Sequence, residues 1–222
     1  MINAFLLIGQ SNMAGRGELG ALPPIVNPDV LMFRDNEWQL AVESMATTFG
    51  DIVQRAAGRT VGLIPCAMGG TALAEWAEGE ELFVQAVART QDALAQGAIL
   101  QGILWHQGEG DSGDPERANA YAERFLTMLE ALQRALSAEN VPVCVGEIGE
   151  FLYENPKHPY AKTVNARLRS LSECRGIECI RARGLTHKGD LLHFDAVSVR
   201  EMGRRYAQAW LRLAGPMGVR LL

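Results

Sequence analysis

Ala4-Phe5-Leu6-Leu7-Ile8-Gly9-Gln10-Ser11-Asn12-Met13-Ala14-Gly15 is the stretch that decides how this chain folds. The apolar run from Ala4 to Ile8 is short and continuous, which reads as a strand covered on both faces. Ser11 then falls in a glycine-flanked loop at the carboxyl end of that strand, exposed and close to the first turn of a following helix. In a parallel α/β sheet the loops beyond the carboxyl strand ends build the binding crevice. A serine there is placed as a nucleophile, with amides nearby to stabilise developing negative charge.

The same kind of run recurs along the chain. Val30 to Phe33, Thr60 to Pro65, Ile99 to Trp105, Val141 to Ile148 and Ile177 to Arg181 read as further strands. Helical patterns lie between them, over Phe49 to Ala57, Leu82 to Ala95, Pro115 to Leu136, Tyr160 to Cys174 and Ala196 to Leu213. In the longest, Tyr121, Phe125, Met128, Leu129, Leu132 and Leu136 recur at spacings of three and four, and Pro115 suits its first turn. Asp195 or Ser198 caps the last helix, and Ser198 with Glu201 fits a capping box. Strands alternating with helices predict an α/β protein, a three-layer αβα sandwich with a mostly parallel sheet. No repeat or linker interrupts the sequence, so residues 1–222 read as one domain. The connections Gly15 to Asp29 and Gly149 to Pro159 are long and polar and are expected to shape a pocket.

Composition narrows the function. The chain has 222 residues, 48% of them hydrophobic, and a net charge of −5. No basic stripe is present, which argues against nucleic acid as a partner; Arg200, Arg204 and Arg205 read as a solvated helix face. No stretch is long enough to span a bilayer, and the N-terminal apolar run lacks the basic flank of a secretory signal, which suits a cytoplasmic protein. Cys66, Cys144, Cys174 and Cys179 show neither a CxxC pair nor zinc-ligand spacing. Cys66 and Cys144 read as buried thiols, whereas Cys174 and Cys179 leave a short-loop bridge open. Oligomeric state is not legible.

Four loops, each at a strand end or before the last helix, carry unusual residues. They are the Ser11 loop, Cys66 to Thr71 with Gly69 and Gly70, Trp105 to Asp111 with His106, Gln107 and Glu109, and Gly189 to Asp195 with Asp190 and His193. Serine needs a base to take its proton. His193 is the strongest candidate, because Asp190 three residues earlier can reach its Nδ1, fix the tautomer and leave Nε2 facing a hydroxyl. His106 borders the same cleft without so close an acid, and His158 and His187 read as surface residues. The Ser11 amide, the Gly69 amide and the Gln107 side-chain amide make a three-donor set for an oxyanion. Asn12 is adjacent to the serine, and no pattern assigns it a role. Trp76 and Trp105 read as packing rather than as a sugar platform. His106, Glu109, Asp111 and Asp114 match no standard metal-ligand spacing, and the chemistry calls for no cofactor.

Gly-Gln-Ser-Asn-Met-Ala-Gly at 9–15, Gly-Gly-Thr at 69–71 with Trp76 downstream, His-Gln-Gly-Glu at 106–109 and Asp-x-x-His-Phe-Asp at 190–195 together resemble the SGNH hydrolase superfamily. More closely they resemble its carbohydrate esterase family 6 and sialate O-acetylesterase-like branch, in order and over nearly the whole chain. The resemblance implies a flavodoxin-like fold. It implies Ser11 as nucleophile, His193 as base, Asp190 as its acid, and Gly69 and Gln107 in the oxyanion hole. In this branch the glutamate of His-Gln-Gly-Glu is also a candidate acid, so Glu109 competes with or supplements Asp190. Gly110 stands where the family commonly has serine. The expected activity is removal of O-acetyl groups from a small acetylated sugar or oligosaccharide. A lipase- or thioesterase-like hydrolase and a non-catalytic sugar- or phosphate-binding module are the alternatives.

Overall fold

The computed structural model describes residues 1–15 and 19–221. Residues 16–18 of the expected connection from Gly15 to Asp29 lie outside the described residues, as do the side chains of residues 19 and 216–222. The strands are β1 (Ile2–Gly9), β2 (Val30–Arg34), β3 (Glu37–Leu40), β4 (Val61–Pro65), β5 (Ala98–His106), β6 (Val143–Gly146) and β7 (Ile177–Ile180). The helices are α1 (Met45–Ala57), α2 (Glu81–Ala95), α3 (Pro115–Asn119), α4 (Tyr121–Leu136), α5 (Ala161–Ser170) and α6 (Ala196–Leu221), the last interrupted at Gly215 with φ 60°.

The strands form one seven-stranded sheet in the order β3-β2-β4-β1-β5-β6-β7. All pairs are parallel except β2 with β3. From β4 onward this is the flavodoxin-like 2-1-3-4-5 order, with the β2–β3 hairpin added at one edge. β1 lies centrally, between β4 and β5, where the strand order reverses. Its side chains alternate between two cores. Phe5 and Leu7 face α1 and α6, while Ala4, Leu6 and Ile8 face the side covered by α2, α4 and α5. On the first side Phe5 meets Phe49 at 4.8 Å and Trp210 at 5.0 Å, both edge to face. On the second, Trp76 meets Trp105 at 5.7 Å, and Phe125 meets Trp105 at 5.4 Å. Both tryptophans are buried, Trp105 donating to Tyr121 Oη and Trp76 to Thr71 Oγ1, so neither serves as a sugar platform.

Several elements differ from the sequence reading. β3 is an addition to the expected strands. Asp35 and Asn36, with φ of 53° and 58°, turn the chain between β2 and β3, and both residue types tolerate that left-handed geometry. α1 starts earlier than Phe49 because Ser44 accepts from the Thr47 amide and caps it. The helix expected over Pro115 to Leu136 breaks at Ala120 (φ −85°, ψ 4°), although Pro115 does open its first turn behind the Asp114 cap. The strand expected over Val141 to Ile148 is confined to β6, and the helix expected to reach Cys174 ends in a 3-10 turn, Leu171–Glu173. Asp195 caps α6 by accepting from the Ser198 amide. Ser198 Oγ instead accepts from Thr186, and Glu201 pairs with Arg204 and Arg205, so the capping box does not form. Arg200 pairs with Glu43 rather than standing in solvent. Cys144 is buried and Cys66 partly so, and Cys174 and Cys179 are free thiols. Among the described residues no helix is long and apolar enough to cross a membrane.

The end of β1 is held against β5 with no room to spare. Gly9 has φ 124°, and a Cβ there would lie 2.2 Å from the His106 carbonyl oxygen. A methyl group must therefore either push the central strands β1 and β5 apart or adopt a backbone conformation that L-residues avoid. Gly9→Ala is expected to lower the unfolding free energy by about 3 kcal/mol or more. Urea denaturation checks this, and a loss below about 1 kcal/mol would show that the strand ends can separate cheaply.

Candidate active site

The Ser11 loop leaves β1 in a single helical turn, with the Met13 and Ala14 amides donating to the Gln10 carbonyl. Among the described residues the next helical elements are a 3-10 turn at Leu19–Ala21 and then α1 at Met45. Ser11 is recessed rather than exposed, at 6% exposure. The β4 loop crosses beside it, tied down by the Met68 amide donating to the Gly9 carbonyl. A Cβ on Gly69 would stand 3.5 Å from Ser11 Cβ, so the two backbones are neighbours. Among the described residues neither the Ser11 nor the Gly69 amide donates a hydrogen bond within the chain.

The loop before α6 meets this point from the far end of the chain. His193 Nε2 lies 3.0 Å from Ser11 Oγ, and His193 Nδ1 lies 2.7 Å from Asp190 Oδ2. Asp190 Oδ1 accepts from the Leu192 and His193 amides at 3.0 and 2.8 Å. Partial burial alone would raise the Asp190 pKa. The His193 amide and imidazole and the Leu192 amide outweigh it and hold the carboxyl down at about 2. Asp190 is thus anionic throughout the neutral range, which suits a partner for Nδ1–H.

Among the described residues Glu109 makes no hydrogen bond to His193. It is buried, and its Oε1 accepts from Asn12 Nδ2 at 2.7 Å while Oε2 has no partner among the described residues. Burial pushes its pKa up to about 7, against the lowering effect of its own backbone amide and the Asn12 donor. Asn12 is the residue that sequence patterns left without a role. Its Nδ2 also reaches the Leu192 carbonyl at 3.3 Å, and its Oδ1 accepts from the Phe194 amide at 3.1 Å. The side chain beside Ser11 therefore grips the backbone on both sides of His193.

Gln107 does not join the set around Ser11. It is fully buried, and its amide nitrogen donates to the Thr71 carbonyl at 3.0 Å and to Asp111 Oδ2 at 2.7 Å. Its oxygen accepts from Tyr121 Oη at 2.6 Å. With both amide hydrogens committed, it has none free for a substrate oxygen, contrary to the expectation that it would be one of three donors beside Ser11. Its work is to tie the β4 loop to the β5 loop. His106 is also fully buried: Nδ1 lies 3.1 Å from Tyr206 Oη, and burial pushes its pKa down to about 3, so it is a neutral core residue. His158 is half-buried rather than on the surface, with Nδ1 2.8 Å from Ser112 Oγ. Asp111 accepts from the Leu73 amide and Asp114 caps α3. Among the described residues no group of three or more His, Cys, Asp or Glu side chains converges as a metal site.

Glu109 generates a pH-dependent term. Its ordinary pKa is 4.5, and in the folded state it is about 7. Between those values the folded protein holds a proton that the unfolded chain releases, so this group's contribution to stability falls as pH rises through the window and is fully lost above 7. The penalty is about 3 kcal/mol at pH 8. Glu109→Gln keeps the acceptor for Asn12 and cannot ionise. Its melting temperature should match wild type near pH 4.5 and exceed it increasingly toward pH 8. A difference that stays constant over that range would rule out the buried carboxyl as its source.

Proteins of known relationship share this arrangement of chain. A model of the sialic acid-specific acetylesterase family of carbohydrate esterases matches residues 1–212. A probable carbohydrate esterase of Arabidopsis thaliana is 28% identical over 239 residues, 93% of this chain and 89% of that protein. Its solved structure superposes with a TM-score of 0.86, 27% identity, and coverage of 95% of this chain and 98% of that one. The structure of NanS superposes at 0.80 with 17% identity, covering 95% and 97% of the two chains. A carbohydrate acetylesterase from Xanthomonas citri superposes at 0.74 with 17% identity, covering 96% of this chain and 56% of that one. The last two likenesses speak to the fold, and the family match speaks to the chemistry: the chain belongs to the sialic acid-specific acetylesterase family of carbohydrate esterases and is a carboxylic ester hydrolase.

Proposed function

We propose that residues 1–222 act as one esterase domain that removes O-acetyl groups from a small acetylated sugar by Ser-His-Asp acyl-enzyme chemistry. The observation that carries this reading is the continuous line from Ser11 Oγ to His193 Nε2 at 3.0 Å and from His193 Nδ1 to Asp190 at 2.7 Å. Ser11 Oγ attacks the acetyl carbonyl carbon as Nε2 takes its proton. Asp190 stabilises the imidazolium that results and keeps the ring in the productive orientation. The oxyanion accepts from the Ser11 and Gly69 amides, each of which would be worth roughly 3–4 kcal/mol in the transition state. His193 returns its proton to the departing sugar oxygen. A water then attacks the acetyl-enzyme by the same path in reverse, releasing acetate and restoring Ser11. The reaction needs no cofactor at any step.

The test is hydrolysis of a chromogenic acetyl ester by the purified protein, followed by acetate release from acetylated sugars. Ser11→Ala and Asp190→Asn should each lower kcat by about 10³-fold or more with folding intact. Glu109→Gln should keep most of its rate, because it is not the acid on His193. Rates should fall from acetyl to longer acyl chains, and the reverse order would favour a lipase-like role. Turnover that survives Ser11→Ala would sink the mechanism. A wild type inert toward acetyl esters and unlabelled by a serine-directed phosphonate would point instead to a binding module.

A further inference from the structure

The loop that carries Asp190 and His193 is closed at its base by the backbone. His187 and Phe194 form an antiparallel bridge, and the Lys188 amide donates to the His193 carbonyl at 3.0 Å. Inside it the chain takes two left-handed residues, Gly189 at φ 110° and Leu191 at φ 53°, one on each side of Asp190. Glycine adopts this conformation at little cost, whereas for leucine it costs about 1–2 kcal/mol. This geometry turns the Gly189 and Leu191 amides toward one atom. Both donate to His187 Nδ1, at 3.0 and 3.1 Å.

An imidazole nitrogen that accepts from two N–H groups carries no proton. The proton of neutral His187 is therefore on Nε2, and the ring acts as the acceptor that a main-chain carbonyl supplies in an ordinary turn. The ring is itself held, 5.2 Å from the Phe151 ring, and Phe151 stacks edge to face on Phe194 at 5.4 Å. The Leu191 carbonyl is fixed from outside by Asn155 Nδ2 at 3.1 Å. Asp190 thus stands at the apex of a turn whose two flanking amides have one common anchor.

We propose that His187 is a positioning residue for the acid–base pair: its unprotonated Nδ1 holds the Gly189–Leu191 turn and so aims the Asp190 carboxylate at His193. The proposal rests on the reading of Ser11, His193 and Asp190 as the working set. Removing the acceptor frees the two amides and lets the apex drift, and a displacement near 1 Å in such a group costs about 100-fold in rate. Substrate binding is left alone, because His187 acts through the backbone.

Two variants test this. Asparagine carries an oxygen where histidine carries Nδ1, so His187→Asn keeps the acceptor. Leucine has similar bulk and no acceptor, so His187→Leu loses it. On an acetyl ester, His187→Leu should lower kcat about 100-fold with KM nearly unchanged, and His187→Asn should recover most of the loss. A second readout does not require turnover: the low-field proton NMR resonance of the His193 Nδ1–H···Asp190 hydrogen bond. It should be present in wild type and His187→Asn and lost in His187→Leu. Unchanged kcat or an unchanged resonance in His187→Leu overturns the proposal, as does a His187→Asn protein as impaired as the leucine variant. A wild type without esterase activity would defeat the reading of the site, while the resonance would still decide whether His187 places Asp190. Should His187→Leu fail to fold, loss of the resonance in a folded His187→Asn protein overturns the proposal, and its retention supports it.

Discussion

Ser11 and His193 are 182 positions apart in the chain, and the contact that keeps their loops in register is the side-chain amide of Asn12. It accepts from Phe194, donates to the Leu192 carbonyl and is itself fixed by the buried Glu109. An amide is suited to this, because it offers a donor and an acceptor in a rigid plane and can grip a backbone on both sides of one residue. The sheet brings the two loops to the same end of the molecule. The Asn12 grip narrows that proximity to hydrogen-bond distance.

Beneath the two loops lies a layer of buried polar groups. Gln107, Asp111, Tyr121 and the Thr71 carbonyl bond to one another where β4 and β5 end. Such a network resists distortion, since moving any member breaks bonds that a low-dielectric setting does not replace; Asp111 Oδ1 alone in it accepts no hydrogen bond among the described residues and lies 3.6 Å from Arg124 Nη1. The Gly69 amide is positioned by this layer. Gln107 therefore shapes the loop beside Ser11 without facing Ser11, by holding the carbonyl of Thr71, two residues beyond Gly69.

The fold is legible in the sequence because parallel strands buried on both faces are written as bare apolar runs, and β1, β2, β4, β6 and the Ile103–Trp105 part of β5 each carry one. β3 is not, because Glu37-Trp38-Gln39-Leu40 is a half-exposed edge strand with no such run; the Asp35-Asn36 turn is its only clear signature. In the site, the Asp190–His193 spacing is readable because the contact is local. Gln107 misleads because residue type and loop position do not say which way a side chain points. The Gln107 amide in the β5 loop turns into the core network, whereas the Asn12 amide in the β1 loop turns toward the His193 loop. His187 reads as a surface residue for a related reason: its partners are backbone amides, which leave no trace in side-chain chemistry.

Two carboxyl groups compete for one histidine in the sequence, and the physics separates them. The acid behind a base must stay anionic while the imidazole alternates between neutral and charged. Asp190 meets this condition, because three donors hold it at about 2 although part of its surface is buried. Glu109 does not, because burial brings it to about 7, where half the molecules would carry a neutral acid. The exposed carboxylate is thus the better electrostatic partner, and the buried one is better used as an acceptor for Asn12, a task that a protonated carboxyl performs as well as an ionised one through its carbonyl oxygen. A short local loop suffices for the first role, since amides at positions two and three beyond Asp190 supply the charge stabilisation. The second role needs the whole sheet, which brings β1 beside β5.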